Sequence, residues 1–331
     1  MKVSTLGEFG LIDLLAKMLA DAKVDKLAPG RPLIGIGDDA AAWRCASSIQ
    51  LATVDTMVQD VHFSPETTSW REIGWKSLAI NLSDIAAMGG APEYALVALA
   101  LPDDSAVADI TGLYEGMIEV ARQFRVAVVG GNISGAPQVS ITITVIGSSL
   151  NNEVLRRSTA RPGDEIAVTG YLGSAGAGLE MLSQKLRFKV DIAAYLRNAF
   201  LHPMPRIAEG QALVKKGIIT AIDVSDGLLS DLRHICEASR VSARLRADRL
   251  PIHEAVRAAF PEKAVALALS GGEDYELLFT GDSRIIRDIQ KDLSCPVTVI
   301  GEITGGKAGV IEVFDAAGEH VKINKAGWSH F

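Results

Sequence analysis

Cysteine is scarce in this 331-residue chain: Cys45, Cys236 and Cys295 are three in number and far apart. They form neither a disulfide framework nor a zinc-ligand spacing, so a reducing, cytoplasmic setting is expected. No uninterrupted apolar run is long enough to span a bilayer, and Asp13 interrupts the first apolar stretch with no small-residue cleavage site after it. Neither a membrane segment nor a signal peptide is therefore expected. A basic excess is also missing, with 33 Lys and Arg against 40 Asp and Glu and a formal net charge of −7. Nucleic acids and anionic membranes require a basic face, so both are excluded as partners. A small phosphorylated ligand is not excluded, because a bound cation reverses the local sign. The glycine-rich stretch Gly170–Gly178 lacks the Gly-Lys-[Ser/Thr] of a Walker A loop and the spacing of a dinucleotide fingerprint. No Ser-His-Asp arrangement, cysteine nucleophile, low-complexity tract or short-period repeat is present.

What remains is the composition of a globular protein, 48% hydrophobic and 22% charged, long enough for two α/β domains. The polar, aperiodic run Ser148–Asn152 is the boundary candidate, dividing the chain into residues 1–150 and 151–331. An amphipathic helix is expected over Glu8–Ala22, and an alternating strand over Ile49–Val54 that ends at Asp55. Ser69-Trp70-Arg71-Glu72 is a capping box opening a helix that runs to Met88 and stops at Gly89-Gly90. Ser77, Asn81 and Asp84 share one face of it. Strands follow at Tyr94–Leu101 and Val126–Val129, the latter running into Gly130-Gly131-Asn132, whose glycines let backbone approach a ligand closely, with a helix between them capped at Asp103–Ser105. Gln138–Ile146 alternates as a half-exposed antiparallel strand whose outer face a second subunit would cover. In the second half, strands are expected at Glu165–Thr169, Ile218–Ile222, Pro296–Ile300 and Val310–Phe314, with helices after Gly178, over Leu228–Ala238 and from Ser283.

The chemistry lies in isolated aspartates set among glycine and apolar residues. Gly35-Ile36-Gly37-Asp38-Asp39 holds two adjacent carboxylates with no cation inside the stretch, readable as an exposed turn or as a divalent-cation site. Asp84 sits among Leu82, Ile85 and Ala86, where a carboxylate either faces solvent or is paired. Asp223-Val224-Ser225-Asp226-Gly227 joins a strand to a helix, and Ser225 or Asp226 either caps that helix or serves a metal. Arg156, Arg157 and Arg161 are a solvated basic patch or a phosphate clamp. Asp38, Asp39, Asp55, Asp84, Asp223 and Asp226 together make sense as a multi-metal phosphate site, since magnesium takes oxygen ligands and bridges polyphosphate oxygens.

These motifs as a set resemble the thiamine-monophosphate kinase family, in the superfamily of aminoimidazole ribonucleotide synthetase and selenophosphate synthetase. The resemblance covers nearly the whole chain: Gly7–Ile12, Gly35–Asp39, Asn81–Gly89, Arg161–Asp164, Asp223–Leu228, Ser270–Leu277 and the closing Gly-Trp-Ser-His-Phe. It implies a two-domain α/β (α+β) aminoimidazole ribonucleotide synthetase-like fold whose N-terminal sheets pair across a homodimer, with a C-terminal domain closing the site. The implied activity is direct in-line transfer of the γ-phosphoryl of ATP to thiamine monophosphate, with no phosphoenzyme. It further implies that Asp39, Thr53, Asp55, Asp84, Asp223 and Asp226 hold several Mg2+ ions, with Asp38 close by, and that Asp39, Asp55, Asp84 and Asp226 are catalytic. Gly131, Asn132, Arg157, Ser225 and Tyr114 would contact ATP; His62, Glu273 and Trp328 would address thiamine monophosphate. The family commonly has aspartate where this chain has Asn132, which offers a carbonyl oxygen but no charge, so one metal site is weaker or differently built. The loop after it, Ile133–Ala136, also lacks an arginine often found nearby. The alternatives are another ATP-dependent member of the superfamily or a catalytically silent ATP-binding relative. Against the first, the N-terminal reactive Cys of selenophosphate synthetase and the C-terminal Cys of the hydrogenase-maturation relatives are both missing here. Asn132 favours the silent relative, and the retained aspartates oppose it.

Overall fold

Local rules establish much of the chain, as the Ser69 box illustrates. In the computed structural model, which describes residues 2–6, 8–24 and 49–321, the Ser69 N–H donates to Glu72 Oε2 at 2.8 Å. The Glu72 N–H returns to Ser69 Oγ at 3.3 Å. Such reciprocal caps stabilise a helix start by about 1 kcal/mol. Asp38, Asp39 and Trp328 lie outside the described residues.

The described elements are α1 (Val3–Leu6), α2 (Glu8–Ala22), β1 (Gln50–Val58), α3 (Trp70–Ala87), β2 (Gly90–Leu101), α4 (Val107–Phe124), β3 (Ala127–Gly135) and β4 (Ser140–Ser149). They continue as β5 (Glu165–Thr169), α5 (Ser174–Ser183), α6 (Val190–Leu201), α7 (Ile207–Lys215), β6 (Thr220–Asp223), α8 (Leu228–Ser239) and β7 (Ser242–Arg246). The last are α9 (Glu254–Ala259), α10 (Ala264–Ser270), β8 (Leu277–Gly281), α11 (Ser283–Asp292), β9 (Val297–Thr304) and β10 (Ile311–Phe314). The chain divides into one unit of Met1–Ile85 with Ala91–Asn152 and a second of Ala86–Gly90 with Glu153–Phe331.

In the first unit a four-stranded sheet has the order β1-β4-β2-β3, with β1 and β4 antiparallel and β2 and β3 parallel. Its core draws on Leu11, Leu15 and Leu19 of α2, Ile73, Leu78 and Leu82 of α3, and Ile110, Leu113 and Met117 of α4, all at 3% exposure or less. Each such side chain contributes about 1.5–3 kcal/mol of burial.

Two expectations are corrected here. The helix after β2 is not capped by Asp103–Ser105; its N-cap is Ala106, with no side-chain cap bond. The strand expected over Val126–Val129 does not end there, and most of the expected Ile133–Ala136 loop is strand, because β3 continues to Gly135 as a partner of β2. The physical reason is close approach: a Cβ on Gly131 would lie 1.8 Å from the Val97 carbonyl oxygen, so glycine extends this strand.

In the second unit a six-stranded sheet runs β10-β7-β9-β5-β8-β6. β5 pairs antiparallel with both β8 and β9, and only the β10–β7 pairing is parallel among the described pairs. Alternation along β5 sends Ile166 and Val168 to one apolar layer, with Leu196, Leu232 and Val256, and Ala167 to the other, with Leu213, Val214 and Ile286. The sheet is thus buried on both faces, which is why its strands read as apolar runs. The turn after α3 belongs to this unit: Gly89 takes the expected left-handed φ of 70°, and Ala86 and Ala87 pack with Leu155 and Leu213.

Candidate active site

In the first unit, candidate residues come from alternate positions of β1 and one face of α3. Thr53 and Asp55, two apart on a strand, point to the same side, and Asn81 and Asp84, three apart on a helix, share a face. Thr53 Oγ1 donates to Asp84 Oδ2 at 2.5 Å, and the Asp55 N–H donates to Asn81 Oδ1 at 3.0 Å. Asn81 is fully buried and anchors its own amide on the Ser77 carbonyl at 3.0 Å, which ties strand to helix. Burial, then the charge of Asp84, then a hydrogen bond with it push the Asp55 carboxyl up to about 6. Two half-buried carboxylates beside a hydroxyl form an all-oxygen donor set, and their mutual repulsion is what a hard cation relieves.

The second unit brings together two turns that are about 45 residues apart in sequence. The Val224 N–H donates to the Glu276 carbonyl at 2.8 Å, the Tyr275 N–H to the Val224 carbonyl at 2.9 Å, and the Glu273 N–H to the Ser225 carbonyl at 2.7 Å. Glu273 and Tyr275 hold left-handed φ values of 59° and 50°. Such strain persists only where surrounding bonds over-determine the backbone. Asp223 is buried, while Ser225, Asp226 and Glu273 are half-buried. Neither Ser225 nor Asp226 caps α8: the N-cap is Gly227, with no side-chain cap bond. Asp226, Asp231 and His234 each place a ligand atom within 4.8 Å of the others. Burial first, then the charges of Asp223 and Asp226, push Asp231 up to about 8.

The other acids of the Ser270–Leu277 motif are used internally. Asp274 accepts the Gly173 and Ala175 N–H groups at the start of α5, at 2.6 and 3.0 Å. Burial still raises it to about 7, partly offset by those bonds. Glu276 takes a bidentate pair from Arg206, at 2.7 and 2.6 Å, and the Thr169 hydroxyl at 2.6 Å. Burial pushes the Cys236 thiol up to about 11, and burial with Glu209 pushes Cys295 up to about 12, so neither described cysteine is a thiolate nucleophile.

Two family models match, AIR synthase related protein, N-terminal domain, over residues 37–149 and AIR synthase related protein, C-terminal domain, over residues 161–314. The thiamine-monophosphate kinase of Bacillus subtilis (strain 168) is 37% identical over 310 residues, covering 90% of this chain and 93% of that protein. The chain belongs to the thiamine-monophosphate kinase family. The crystal structure of the thiamine-monophosphate kinase from Stenotrophomonas maltophilia K279a superposes with a TM-score of 0.82 at 35% identity, covering 93% of this chain and 96% of that one. AaThiL complexed with AMPPCP and TMP gives a TM-score of 0.77 at 31% identity, covering 100% of this chain and 99% of that one.

For this thiamine-monophosphate kinase family member, the structure brings Thr53, Asp55 and Asp84 together in one unit, and Asp223, Ser225, Asp226 and Glu273 together in the other. His62 lies half-buried in the turn after β1, its Nδ1 accepting the Val58 N–H at 3.0 Å. Gly131 and Asn132 are exposed on β3, Arg157 is exposed before β5, and Tyr114 is buried in α4 with its phenol pushed up by burial. Asn81, Asp231 and His234 are the neighbours that sequence reasoning left out of the site. Asp231 carried no sequence signal of its own, since an acid in the first turn of a helix is already accounted for by the helix dipole.

Proposed function

We infer that this protein phosphorylates thiamine monophosphate to thiamine diphosphate, taking the γ-phosphoryl group directly from ATP. The observation that carries this reading is the likeness, over the full chain, to AaThiL complexed with AMPPCP and TMP. The oxygen donors of each unit fit magnesium, Thr53, Asp55 and Asp84 in one and Asp223 and Asp226 in the other; the family resemblance adds Asp38 and Asp39, which lie outside the described residues. Magnesium held by these residues would supply neutralisation of the charge on the transferring group.

The chain's own groups position and hold. Asn81 fixes the backbone at Asp55, and Asp84 holds the Thr53 hydroxyl. Gly131, Asn132, Arg157, Ser225 and Tyr114 address ATP, the guanidinium of Arg157 through phosphate oxygens. His62, whose Nδ1 accepts the Val58 N–H, addresses the phosphate of thiamine monophosphate. Glu273 and Trp328 address the thiamine moiety. No residue need carry the phosphoryl group between donor and acceptor. The protein works in the cytoplasm as a homodimer.

Incubation with ATP, MgCl2 and thiamine monophosphate, followed by identification of products, tests the reading. Thiamine diphosphate and ADP in equal amounts are expected, with no labelled protein from γ-labelled ATP. Turnover of other monophosphates at the expense of this one would reject the substrate assignment. Trp328→Ala should raise the KM for thiamine monophosphate and leave that for ATP nearly unchanged.

A further inference from the structure

Asp231 is the fourth residue of α8, a place where an aspartate ordinarily faces water, yet it is 2% exposed. A single one of its oxygens, Oδ2, accepts three consecutive backbone N–H groups, those of Ser225, Asp226 and Gly227, each at 3.1 Å. Three successive N–H groups converging on a point form a nest, the kind of concavity that elsewhere receives an anion. Here the protein fills it with its own carboxylate. The Asp231 N–H in turn donates to the Gly227 carbonyl at 3.0 Å, so helix and turn hold each other.

The opposite edge of the same turn is held by the other loop. Its carbonyls at Val224 and Ser225 receive the N–H groups of Tyr275 and Glu273 at 2.9 and 2.7 Å. The peptide units that carry Ser225 and Asp226 are therefore fixed on their N–H side by Asp231 and on their carbonyl side by the strained Glu273 loop. Removing the acceptor at Asp231 frees one side and, through the Ser225 carbonyl, loosens Glu273 as well.

We propose that Asp231 is a positioning residue for the phosphoryl transfer, its Oδ2 setting the backbone that aims Ser225, Asp226 and Glu273. The inference rests on the kinase reading above. It requires an oxygen acceptor at position 231 rather than a charge or a direct ligand to a metal ion.

The test uses the full-length chain with Asp231→Asn, which keeps an acceptor oxygen, and Asp231→Ala, which removes it. Activity is measured at a temperature where circular dichroism shows every variant folded. Asp231→Asn should stay within about tenfold of the parent kcat, and Asp231→Ala should lose more than about a hundredfold, with a rise in the MgCl2 needed for half-maximal rate. Hydrogen exchange supplies a readout free of catalysis: amides of Ser225, Asp226, Gly227 and Glu273 should exchange faster in the Ala variant and stay protected in the Asn variant. Equal losses of activity in both variants with both protected would overturn the proposal, since charge at 231 would then be what matters. Parent-like kcat in a folded Ala variant overturns it too. If the parent itself makes no thiamine diphosphate, the kinase reading fails while the exchange data still decide whether Asp231 holds the turn.

Discussion

At the scale of single residues, the site is built by making carboxylates uncomfortable. Asp55 is raised to about 6 and Asp231 to about 8, each by burial first and by neighbouring aspartates next. A raised carboxyl means that the metal-free fold binds the proton more tightly than the unfolded chain does. For Asp55 the associated stability is complete below the ordinary value of 3.8 and is lost as pH rises through about 6. A cation held by Asp55 competes with that same proton, so its stabilising effect should grow over this window. We expect MgCl2 to shift the Tm little at about pH 5 and by about 5 °C at about pH 8, measured by thermal melts with and without the ion. A shift that is the same at both ends would discard the carboxylate cluster as the ion's site. Asp84→Asn should flatten the dependence, because it removes the charge that disfavours ionised Asp55, and should abolish most turnover. Much of this cluster was legible in the sequence because isolated acids in apolar settings are costly, and β1 and α3 place them by simple periodicity. Asp231 was not, because an acid in the first turn of an amphipathic helix satisfies the helix dipole and needs no further explanation. Only the fold reveals that its side chain turns back over three amides.

At the scale of elements, capping and alternation predicted α2, α3, β4 and β5 closely, since each depends on neighbours in sequence. The stretches 184–217 and 239–269 were left without elements. Their helices α6, α7, α9 and α10 are short, and in most of them no side chain caps the N-terminus. Tertiary packing holds them instead, and periodicity alone does not reveal that. The clearest example is α7, whose N-cap residue Arg206 reaches Glu276 at the head of β8 through two bonds, with side-chain exposures of 22% and 8%. The same carboxylate receives Thr169 at the end of β5. One ion pair therefore joins a helix start to two strand ends beside the Glu273 loop. Removing the cation strands a buried carboxylate, which costs about 3 kcal/mol. We expect Arg206→Ala to lower the urea midpoint by that much stability without changing the slope of the transition. A loss under about 1 kcal/mol would show the pair to be ornamental, as exposed pairs usually are.

At the scale of the whole molecule, the first unit's sheet carries a surface that water alone does not explain. The outward residues of β1 and β4 include Ala52, Val54 and Thr56 beside Thr142, Thr144 and Ile146, and none of them is charged. Val54 is 58% exposed, and Thr56 and Thr142 spend their hydroxyls on each other at 2.9 Å. β1 is also the end strand of its sheet, with one side unpaired among the described strands. Sheet edges of solitary proteins are usually guarded by lysine, proline or a bulge, and this one has none of them within Gln50–Val58. A second copy related by a twofold axis would cover both the edge and the face with the same residues reversed. A stable pairing needs about 800 Å² from each partner. Light scattering at micromolar concentration should accordingly give twice the 35.1 kDa of one chain. Val54→Arg places a charge at the exposed centre of β1 while leaving the inward Thr53 and Asp55 untouched. It should yield single chains that keep their fold, with the parent's far-ultraviolet circular dichroism. A parent that already scatters as one chain would remove the dimer; a Val54→Arg variant that still pairs would move the interface to another face.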